Sequence, residues 1–353
     1  QTSRFHFTSR FYPGETIMVN RNSRVLVTGA GGFIGHHLVS FLKAQGYWVR
    51  GADLKFPEFE ASAADEFVLL DLRRWENCLR ATSSIDVVYA LAADMGGMGY
   101  ISCNHARILH SNSLINLHTI EAARANGIRR YLYTSSACVY PEYRQQRTDI
   151  APLREDEAYP AEPQDAYGWE KLITEQLCTH YRRDYGMETR IVRFHNIFGP
   201  QGTFEGGREK APAALCRKIA MAKLRGNEEI EIWGDGEQTR SFCYIDDCVL
   251  GIHKLMHSGF NQPLNLGQDR MVSINELARM IARIAGIDVR LKHVPGPEGV
   301  RGRNSDNSLL RATLRWEPEV SLEEGLAKTY AWIESEVFAK ARSTQGQNVV
   351  EVA

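Results

Sequence analysis

The 353-residue sequence has no apolar run near the roughly 18 residues that a membrane-spanning helix requires. It also has no long basic run, since 42 Lys and Arg residues stand against 43 Asp and Glu residues, for a formal net charge of −1. These absences predict a chain that binds neither membrane nor nucleic acid. No internal repeat or low-complexity tract occurs, and the length suits two domains, or one large domain with a smaller lobe.

Zinc-type cysteine patterns are absent as well. The seven cysteines are dispersed, with no C-x-x-C pair and no Cys/His pair at zinc spacing. This predicts reduced thiols in a cytoplasmic protein and no metal site. Residues 1–20 lack the apolar segment of a secretory signal. We expect this segment and the polar tail 343–353 to be flexible.

A glycine-rich turn follows the first apolar run. Gly29, Gly32 and Gly35 form a G-x-x-G-x-x-G pattern between an expected strand and an expected helix. Such glycines allow a tight turn and a close backbone approach to a pyrophosphate. The second expected strand ends at Asp53, where a carboxylate would bind an adenosine ribose diol and repel a 2′-phosphate. The pattern predicts NAD rather than NADP, although Lys55 lies close enough to weaken that preference.

Tyr167 and Lys171 form a Y-x-x-x-K pattern about 30 residues after a strand that ends near Ser135. Residues four apart share one helix face. A lysine ammonium near a phenol stabilises the phenolate, so we expect the pKa of Tyr167 to fall toward the working pH. A tyrosinate beside a nicotinamide can accept the hydroxyl proton of a sugar while hydride leaves its carbon. The pattern is weak by itself and gains weight from the glycine-rich turn.

Short apolar runs alternate with longer helical patterns from residue 24 onward. The strands are expected at 24–28, 48–52, 67–70, 86–91, 130–135 and 189–193, and the helices at 33–46, 74–81, 105–127 and 166–186. This alternation predicts an α/β fold with a Rossmann-type doubly wound parallel sheet.

The pattern changes after residue 200. We expect residues 22–200 to form the dinucleotide-binding domain, which 241–258 rejoin as a strand and helix. Residues 201–240 and 259–340 are expected to form a smaller C-terminal α/β lobe that binds substrate at the carboxyl ends of the strands. Within that lobe we expect helices near 210–225 and 274–285 and strands near 229–233 and 288–294.

These motifs together resemble the extended short-chain dehydrogenase/reductase family of nucleotide-sugar enzymes. The matching runs are 28–35, 71–72, 91–93, 135–136, 167–171 and 193–200, within a match over about residues 24–335. The resemblance implies that NAD is bound by Gly29, Gly32, Phe33, Ile34, Gly35, Asp53, Asp71, Leu72, Ala92, Tyr167 and Lys171.

Six further runs are similar to the branch of that family that inverts C3 and C5 of GDP-mannose. They lie at 93–99, 135–141, 160–168, 206–214, 233–241 and 295–305. The resemblance implies GDP-α-D-mannose as substrate, GDP-L-galactose as product and GDP-L-gulose as a second product. It also implies oxidation of the hexose at C4, later reversed, and a homodimer formed through the helices near 105–127 and 166–186.

Inversion at C3 or C5 of a 4-keto sugar needs one base and one acid on opposite ring faces. From the sequence alone, Cys138 is as well explained as a small packed residue, and Lys210 as a solvated lysine in a charged loop. The resemblance assigns Cys138 as proton abstractor and Lys210 as proton donor. It also implies that Ser136 hydrogen-bonds the C4 oxygen while Tyr167 exchanges its proton.

The resemblance further implies a set of substrate contacts, with Arg240 and Arg303 as diphosphate ligands because a guanidinium matches phosphate oxygens. The full set is Gly96, Gly97, Ser136, Ala137, Cys138, Asn196, Glu209, Lys210, Ala211, Lys218, Gln238, Thr239, Arg240 and Arg303. Two alternatives stay open: another nucleotide-sugar 4-epimerase or 4,6-dehydratase, and a non-catalytic dinucleotide sensor. A dehydratase usually has an acidic residue after the active-strand Ser, where this chain has Ala137 and Cys138, and a sensor commonly lacks the Tyr–Lys pair.

Overall fold

The computed structural model describes residues 22–350, with side chains described as far as Ser343. The predicted flexible segment at residues 1–20 therefore lies outside the described residues, as do residues 351–353. Within the described range, no helix combines the length and apolar character that crossing a membrane requires.

The strands of the described chain are short, and many are apolar. In order they are β1 (Arg24–Thr28), β2 (Trp48–Asp53), β3 (Glu66–Leu69), β4 (Val87–Ala90), β5 (Arg130–Ser136), β6 (Glu188–Phe194), β7 (Ile197–Phe198), β8 (Glu229–Trp233), β9 (Thr239–Ser241), β10 (Cys243–Tyr244), β11 (Pro263–Leu266), β12 (Met271–Ser273), β13 (Arg290–Val294) and β14 (Gly302–Arg303).

The helices connect these strands. In order they are α1 (Phe33–Ala44), α2 (Trp75–Thr82), α3 (Met98–Ile101), α4 (His105–Ala125), α5 (Ala166–Tyr185), α6 (Ala211–Arg225), α7 (Ile245–His257), α8 (Ile274–Ala285), α9 (Ser308–Leu314) and α10 (Leu322–Val350). Short 3₁₀ turns occur at Ala137–Val139, Glu142–Arg144 and Glu155–Ala158.

Seven strands form one parallel sheet in the order β11-β6-β5-β4-β1-β2-β3. In β1, Val25, Leu26 and Val27 are fully buried, because helices cover both faces of the sheet. Helix α1 packs against α7 on one face, while α2 packs on α4 and α4 on α5 on the other. The predicted doubly wound parallel sheet is confirmed, and so are the strands and helices predicted before residue 195.

Helices α6, α8 and α10 pack on one another and form the core of the smaller lobe. Its strands form a parallel pair, β13-β8, and a three-stranded sheet, β12-β9-β14. The two helices and two strands that the sequence predicts in this lobe are present, as α6, α8, β8 and β13.

Two features differ from the sequence-based division of the chain. The strand that rejoins the main sheet is β11 at Pro263–Leu266, which the sequence placed in the substrate lobe, whereas β10 within 241–258 pairs only with β7. The run Pro263–Leu266 contains a proline and an asparagine, which are uncommon in strands, so the sequence pattern indicated no strand there. In addition, α10 continues to Val350, past the end of the lobe expected at residue 340 and into the tail 343–353.

Candidate active site

The glycine-rich turn at the end of β1 approaches its own backbone closely. A Cβ at Gly35 would lie 2.1 Å from the carbonyl oxygen of Gly29, so a side chain there would force the turn open. Helix α1 begins directly after the turn, with no side-chain cap on its first amides. An anion placed there would meet unpaired amide donors at the positive end of the helix dipole. The turn therefore fits a dinucleotide pyrophosphate.

Asp53 ends β2 and faces the same turn. Its carboxylate accepts hydrogen bonds from the amides of Gly31 (2.9 Å) and Leu54 (2.6 Å). Burial raises the pKa of this carboxyl group, and these backbone amides oppose the increase. Asp53 thus holds the turn in shape in addition to offering acceptor capacity toward a ribose diol.

A cleft of about 790 Å³ runs from this turn to the smaller lobe. Nearly all of the predicted cofactor and substrate residues line it, including Asp71, Leu72, Ala92, Gly96, Gly97, Glu209 and Ala211. Thr239 is the exception, and its hydroxyl donates to the carbonyl of Thr148 (2.6 Å). Because side chains alternate along β9, Arg240 faces the cleft where Thr239 turns away.

Tyr167 and Lys171 lie in the first turns of α5, which is capped by the Asp165 carboxylate. The Lys171 ammonium donates to the Thr134 carbonyl (3.0 Å) and lies 5.4 Å from the centre of the Tyr167 ring. Tyr167, Lys171 and Ser136 all line the cleft, which brings the predicted hydride-site residues together. Burial, however, raises the pKa of Tyr167 well above its ordinary value. The expectation that Lys171 lowers this pKa is wrong, because desolvation outweighs an ammonium already engaged with a carbonyl.

A buried polar network behind this pair was not found from the sequence. Glu170 lies 3.8 Å from the Lys171 ammonium, and its two oxygens accept from Asn112 (2.9 Å) and Asn116 (3.0 Å). Burial raises the pKa of Glu170, and Lys171 opposes that increase. The two asparagines are four residues apart in α4, a spacing that places both on the face toward α5. That spacing is a signal in the sequence from which the network could have been found.

Cys138 lies in the 3₁₀ turn that follows β5. Its backbone amide donates to the Ser136 hydroxyl (3.1 Å), and its sulfur accepts from Arg303 Nη1 (3.2 Å). The same guanidinium donates through Nε to Gln145 (2.6 Å). Arg303 thus contacts the thiol predicted to abstract protons, a neighbour that the diphosphate assignment did not anticipate. Its positive charge lies where a thiolate would form.

Lys210 precedes the first residue of α6 and lines the cleft. It is not the solvated surface lysine that its charged loop suggested. Burial lowers its pKa from the usual 10.5, and a negative charge on Cys138 would act in the opposite direction. A buried ammonium with a lowered pKa releases a proton more readily than a free lysine does. The structure therefore brings Cys138 and Lys210 into one cleft with the Tyr–Lys pair.

Two cationic side chains and two amides line the lobe end of the cleft. Burial lowers the pKa of Arg240, and neighbouring Arg303 adds to the effect, so an anion between them would relieve both penalties. Lys218 donates to the Glu231 carbonyl (2.6 Å). Gln238 Oε1 is buried without a hydrogen-bond partner among the described residues, so it is available to a ligand. Asn196 holds a positive φ of 48° while its amide donates to the Ser241 carbonyl (2.9 Å), a strained conformation that is common at functional sites.

Comparison with known proteins agrees with this geometry. The family model described as "NAD dependent epimerase/dehydratase family" matches residues 25–267. The chain is 51% identical to GDP-mannose 3,5-epimerase of Arabidopsis thaliana over 94% of its own length and 87% of the relative's. It is 49% identical to GDP-mannose 3,5-epimerase 1 of Oryza sativa subsp. indica, over 96% and 87%.

Solved structures show the same architecture. UDP-glucose 4-epimerase of Thermotoga maritima, solved with UDP-glucose, has a TM-score of 0.80 at 28% identity, covering 89% of this chain and 99% of that one. UDP-glucuronic acid 4-epimerase of Bacillus cereus, in complex with UDP-glucuronic acid and NAD, has a TM-score of 0.75 at 26% identity, covering 88% and 99%. The chain therefore belongs to the NAD dependent epimerase/dehydratase family and, within it, to the GDP-mannose 3,5-epimerases.

Proposed function

We propose that this chain is an NAD-dependent isomerase that converts GDP-α-D-mannose to GDP-L-galactose, with GDP-L-gulose as a second product. One observation carries the proposal: Cys138 and Lys210 line the same cleft as Tyr167 and Lys171. The Tyr–Lys pair suits oxidation and reduction at one carbon. The Cys–Lys pair supplies the additional base and acid that inversion of neighbouring carbons needs.

The first step takes place at C4 of the hexose. NAD, when bound along the turn after β1, supplies the hydride acceptor. Tyr167, as the phenolate, accepts the C4 hydroxyl proton, and Ser136, which lines the same cleft, holds the C4 oxygen. Lys171, fixed by the Thr134 carbonyl, keeps a positive charge near the Tyr167 phenolate and would contact the nicotinamide ribose. Because burial raises the pKa of Tyr167, its phenolate is a strong base toward the C4 hydroxyl, and the proton that it takes up returns to the C4 oxygen when C4 is reduced again.

The second step inverts C3 and C5. The C4 ketone acidifies both neighbouring C–H bonds, because each carbanion is stabilised as an enolate. Cys138 abstracts the proton, with the Arg303 guanidinium 3.2 Å from its sulfur to offset the negative charge of the thiolate. Lys210, an ammonium whose pKa burial has lowered, donates a proton from the opposite ring face. Each inversion thus moves one proton onto sulfur and one from nitrogen, and between the two inversions the thiol loses its proton to solvent and the amine takes one up.

The remaining contacts hold the nucleotide and the sugar. Arg240 is placed to bind the diphosphate, with Lys218 adding positive charge nearby. Gln238, with its free carbonyl oxygen, is assigned to the nucleotide half. The backbone at Gly96 and Gly97 and the Asn196 amide are assigned to the hexose, together with Ala137, Glu209 and Ala211.

We further propose a cytoplasmic homodimer that binds neither membrane nor nucleic acid. Helices α4 and α5 carry exposed apolar side chains at Leu109, Leu117, Trp169 and Ile173, which suit a helical interface between two copies. All seven cysteines lie in the described part of the chain and are free, as expected in a reducing compartment. A net charge of −1 is unfavourable for binding a polyanion.

The test is turnover of GDP-mannose in D2O followed by NMR of the products. The C4 hydrogen leaves and returns as hydride without meeting water, whereas the hydrogens at C3 and C5 leave as protons that exchange through Cys138 and Lys210. We expect GDP-L-galactose that carries deuterium at C3 and C5 and protium at C4. Product labelled at neither C3 nor C5 would instead identify a 4-epimerase.

A further inference from the structure

A cluster of side chains spans the mouth of the cleft between the main sheet and the smaller lobe. Asp94 follows β4, and Arg208 lies in the loop just before Lys210. The Arg208 Nη1 atom donates to Asp94 Oδ1 (3.2 Å) and to the Met95 carbonyl (3.3 Å). These two segments are far apart in sequence and carry residues assigned to different parts of the reaction.

Asp94 is fixed from three further directions. The Tyr100 hydroxyl donates to Asp94 Oδ1 (2.8 Å), and Arg107 Nε from α4 donates to Oδ2 (3.2 Å). The Asp94 amide donates to Asn112 Oδ1 (2.6 Å), and Asn112 in turn donates to Glu170 beside Lys171. The carboxylate is thus held by Tyr100, Arg107 and Arg208, while the Asp94 backbone is tied through Asn112 to the buried network beside the hydride site.

Arg208 is held on its other side by an aromatic ring and by backbone contacts. Its guanidinium lies 3.8 Å from the centre of the Tyr100 ring, a cation–π distance. The Gly97 amide donates to the Arg208 carbonyl (3.0 Å), and a Cβ at Gly97 would lie 2.3 Å from the Glu209 carbonyl oxygen. The backbone that precedes Lys210 is thus pressed against the backbone at Gly97, with no room for a side chain between them.

We propose that Asp94, Tyr100 and Arg208 form a clasp that positions Lys210 for proton donation at C3 and C5. Lys210 is two residues beyond Arg208, and its own side chain makes no ion pair with the described residues. Its carbonyl accepts from the Ala214 amide of α6 (2.9 Å), so its position depends on that helix on one side and on how the preceding loop is held on the other. Asp94 and Arg208 are positioning residues that act through Lys210, and this inference rests on the proposed role of Lys210 as proton donor.

The test compares two chemical steps in the full-length enzyme with bound NAD. Asp94→Asn keeps the side-chain shape but removes the charge that holds Arg208. We expect exchange of solvent deuterium into C3 and C5 of the sugar to fall about 10- to 100-fold, as for a displaced catalytic group. Oxidation at C4 should continue, so the absorbance of reduced nicotinamide should build up on adding GDP-mannose, with KM changed less than kcat.

A matched control removes an ion pair from the far end of α6, the helix that begins directly after Lys210. Lys223 bonds Glu334 (2.8 Å), and neither residue lines the cleft, so Lys223→Met should leave both steps unchanged. Arg208→Met should reproduce the effect of Asp94→Asn, and the double variant should be no worse than either single one. If Asp94→Asn folds poorly, Arg208→Met removes the same Asp94–Arg208 ion pair from its other partner.

Amide hydrogen exchange supplies a readout that needs no turnover. Loss of the clasp should speed exchange of the Gly97 amide and of the backbone at 207–210, with little change in the seven-stranded sheet. Three results in Asp94→Asn would each overturn the clasp while leaving the epimerase assignment intact. They are deuterium exchange into C3 and C5 at the wild-type rate, equal slowing of that exchange and of C4 oxidation, and unchanged amide protection at Gly97 and 207–210. Absence of label at C3 and C5 in the wild-type product would instead overturn the proposed function, and the clasp with it.

Discussion

On the sheet side of the cleft, the residues assigned to hydride transfer come from short contiguous motifs, and Tyr167 and Lys171 share one helix face. The second group, called the lobe side because Lys210 and Arg303 belong to the smaller lobe, consists of the proton-transfer pair and the guanidinium beside its thiol. Its residues come from three separate segments, since Cys138 lies in the 3₁₀ turn after β5, Lys210 precedes α6 and Arg303 ends β14. The sheet side is also the more deeply buried, since Tyr167 is 7% exposed and Lys171 2% exposed, while Cys138 and Lys210 are half-buried.

This difference corresponds to two kinds of chemistry. Hydride must pass between two carbons without meeting water, so its site is desolvated and backed by the Glu170 network. Protons must be exchanged on two faces of a ring, so the acid and base have to lie on opposite walls of the cleft. In this chain the two groups come from distant segments, since Cys138 follows β5 and Lys210 precedes α6. The sheet side resembles the 4-epimerases in fold, and the lobe side carries the additional pair.

The largest expected effect comes from the sheet side, because both inversions depend on the ketone formed there. Tyr167→Phe keeps the ring and removes the proton acceptor. We expect nucleotide and substrate binding to persist while turnover falls about 10²–10⁴-fold, the usual contribution of a general acid–base group. Single-turnover absorbance of reduced nicotinamide measures the step directly. Activity within a few-fold of wild type would remove Tyr167 from the reaction.

On the lobe side, Cys138→Ala and Lys210→Ala should each separate the two chemistries. We expect deuterium exchange at C3 and C5 to fall about 10²–10⁴-fold while reduction of the nicotinamide survives, because C4 oxidation uses Tyr167. NMR of the sugar in D2O, run beside the absorbance assay, gives both rates. Near-normal formation of the galactose product by Cys138→Ala would make the thiol a packing residue. Cys178→Ala, a buried cysteine outside the cleft, is the matched control.

A smaller effect is expected on replacing Arg303, whose guanidinium lies beside the Cys138 thiol. Arg303→Met removes the positive charge 3.2 Å from the Cys138 sulfur but keeps the length of the side chain. We expect alkylation of Cys138 by iodoacetamide at neutral pH to slow about tenfold, since an adjacent cation favours the thiolate. Arg301→Met, whose guanidinium instead pairs with Asp235, should not change the rate. If the Arg303 variant is alkylated as fast as wild type, Arg303 serves the diphosphate alone.

The sheet side was largely predictable from the sequence, and the lobe side was predictable only by resemblance. Glycine spacing, strand alternation and the Tyr–Lys spacing are local patterns, so they predicted β1 to β6 and the cofactor turn. Contacts between distant segments leave no local pattern: neither the Arg303–Cys138 contact nor the Asp94–Arg208 pair can be read from spacing. Burial is equally non-local, which is why the direction of the pKa shift at Tyr167 was predicted wrongly.

The smallest expected effect is a displaced limb in the pH profile of the inversion step. Burial lowers the pKa of Lys210 from 10.5, whereas burial raises that of Tyr167, so on alkaline titration Lys210 loses its proton before the phenol does. A proton donor is active in its protonated form, so inversion should decline as pH rises through the lowered pKa of Lys210. Oxidation at C4, which depends on Tyr167, should not decline over that range. Deuterium exchange at C3 and C5 and single-turnover reduction of the nicotinamide, each measured from pH 7 upward, give the two profiles.

Lys218 is the competing group, because burial also lowers its pKa, so the alkaline decline of the inversion step must persist in Lys218→Gln. A limb that appears equally in both steps, or that disappears in Lys218→Gln, would contradict Lys210 as the donor and would show that the lobe side does not titrate separately from the sheet side.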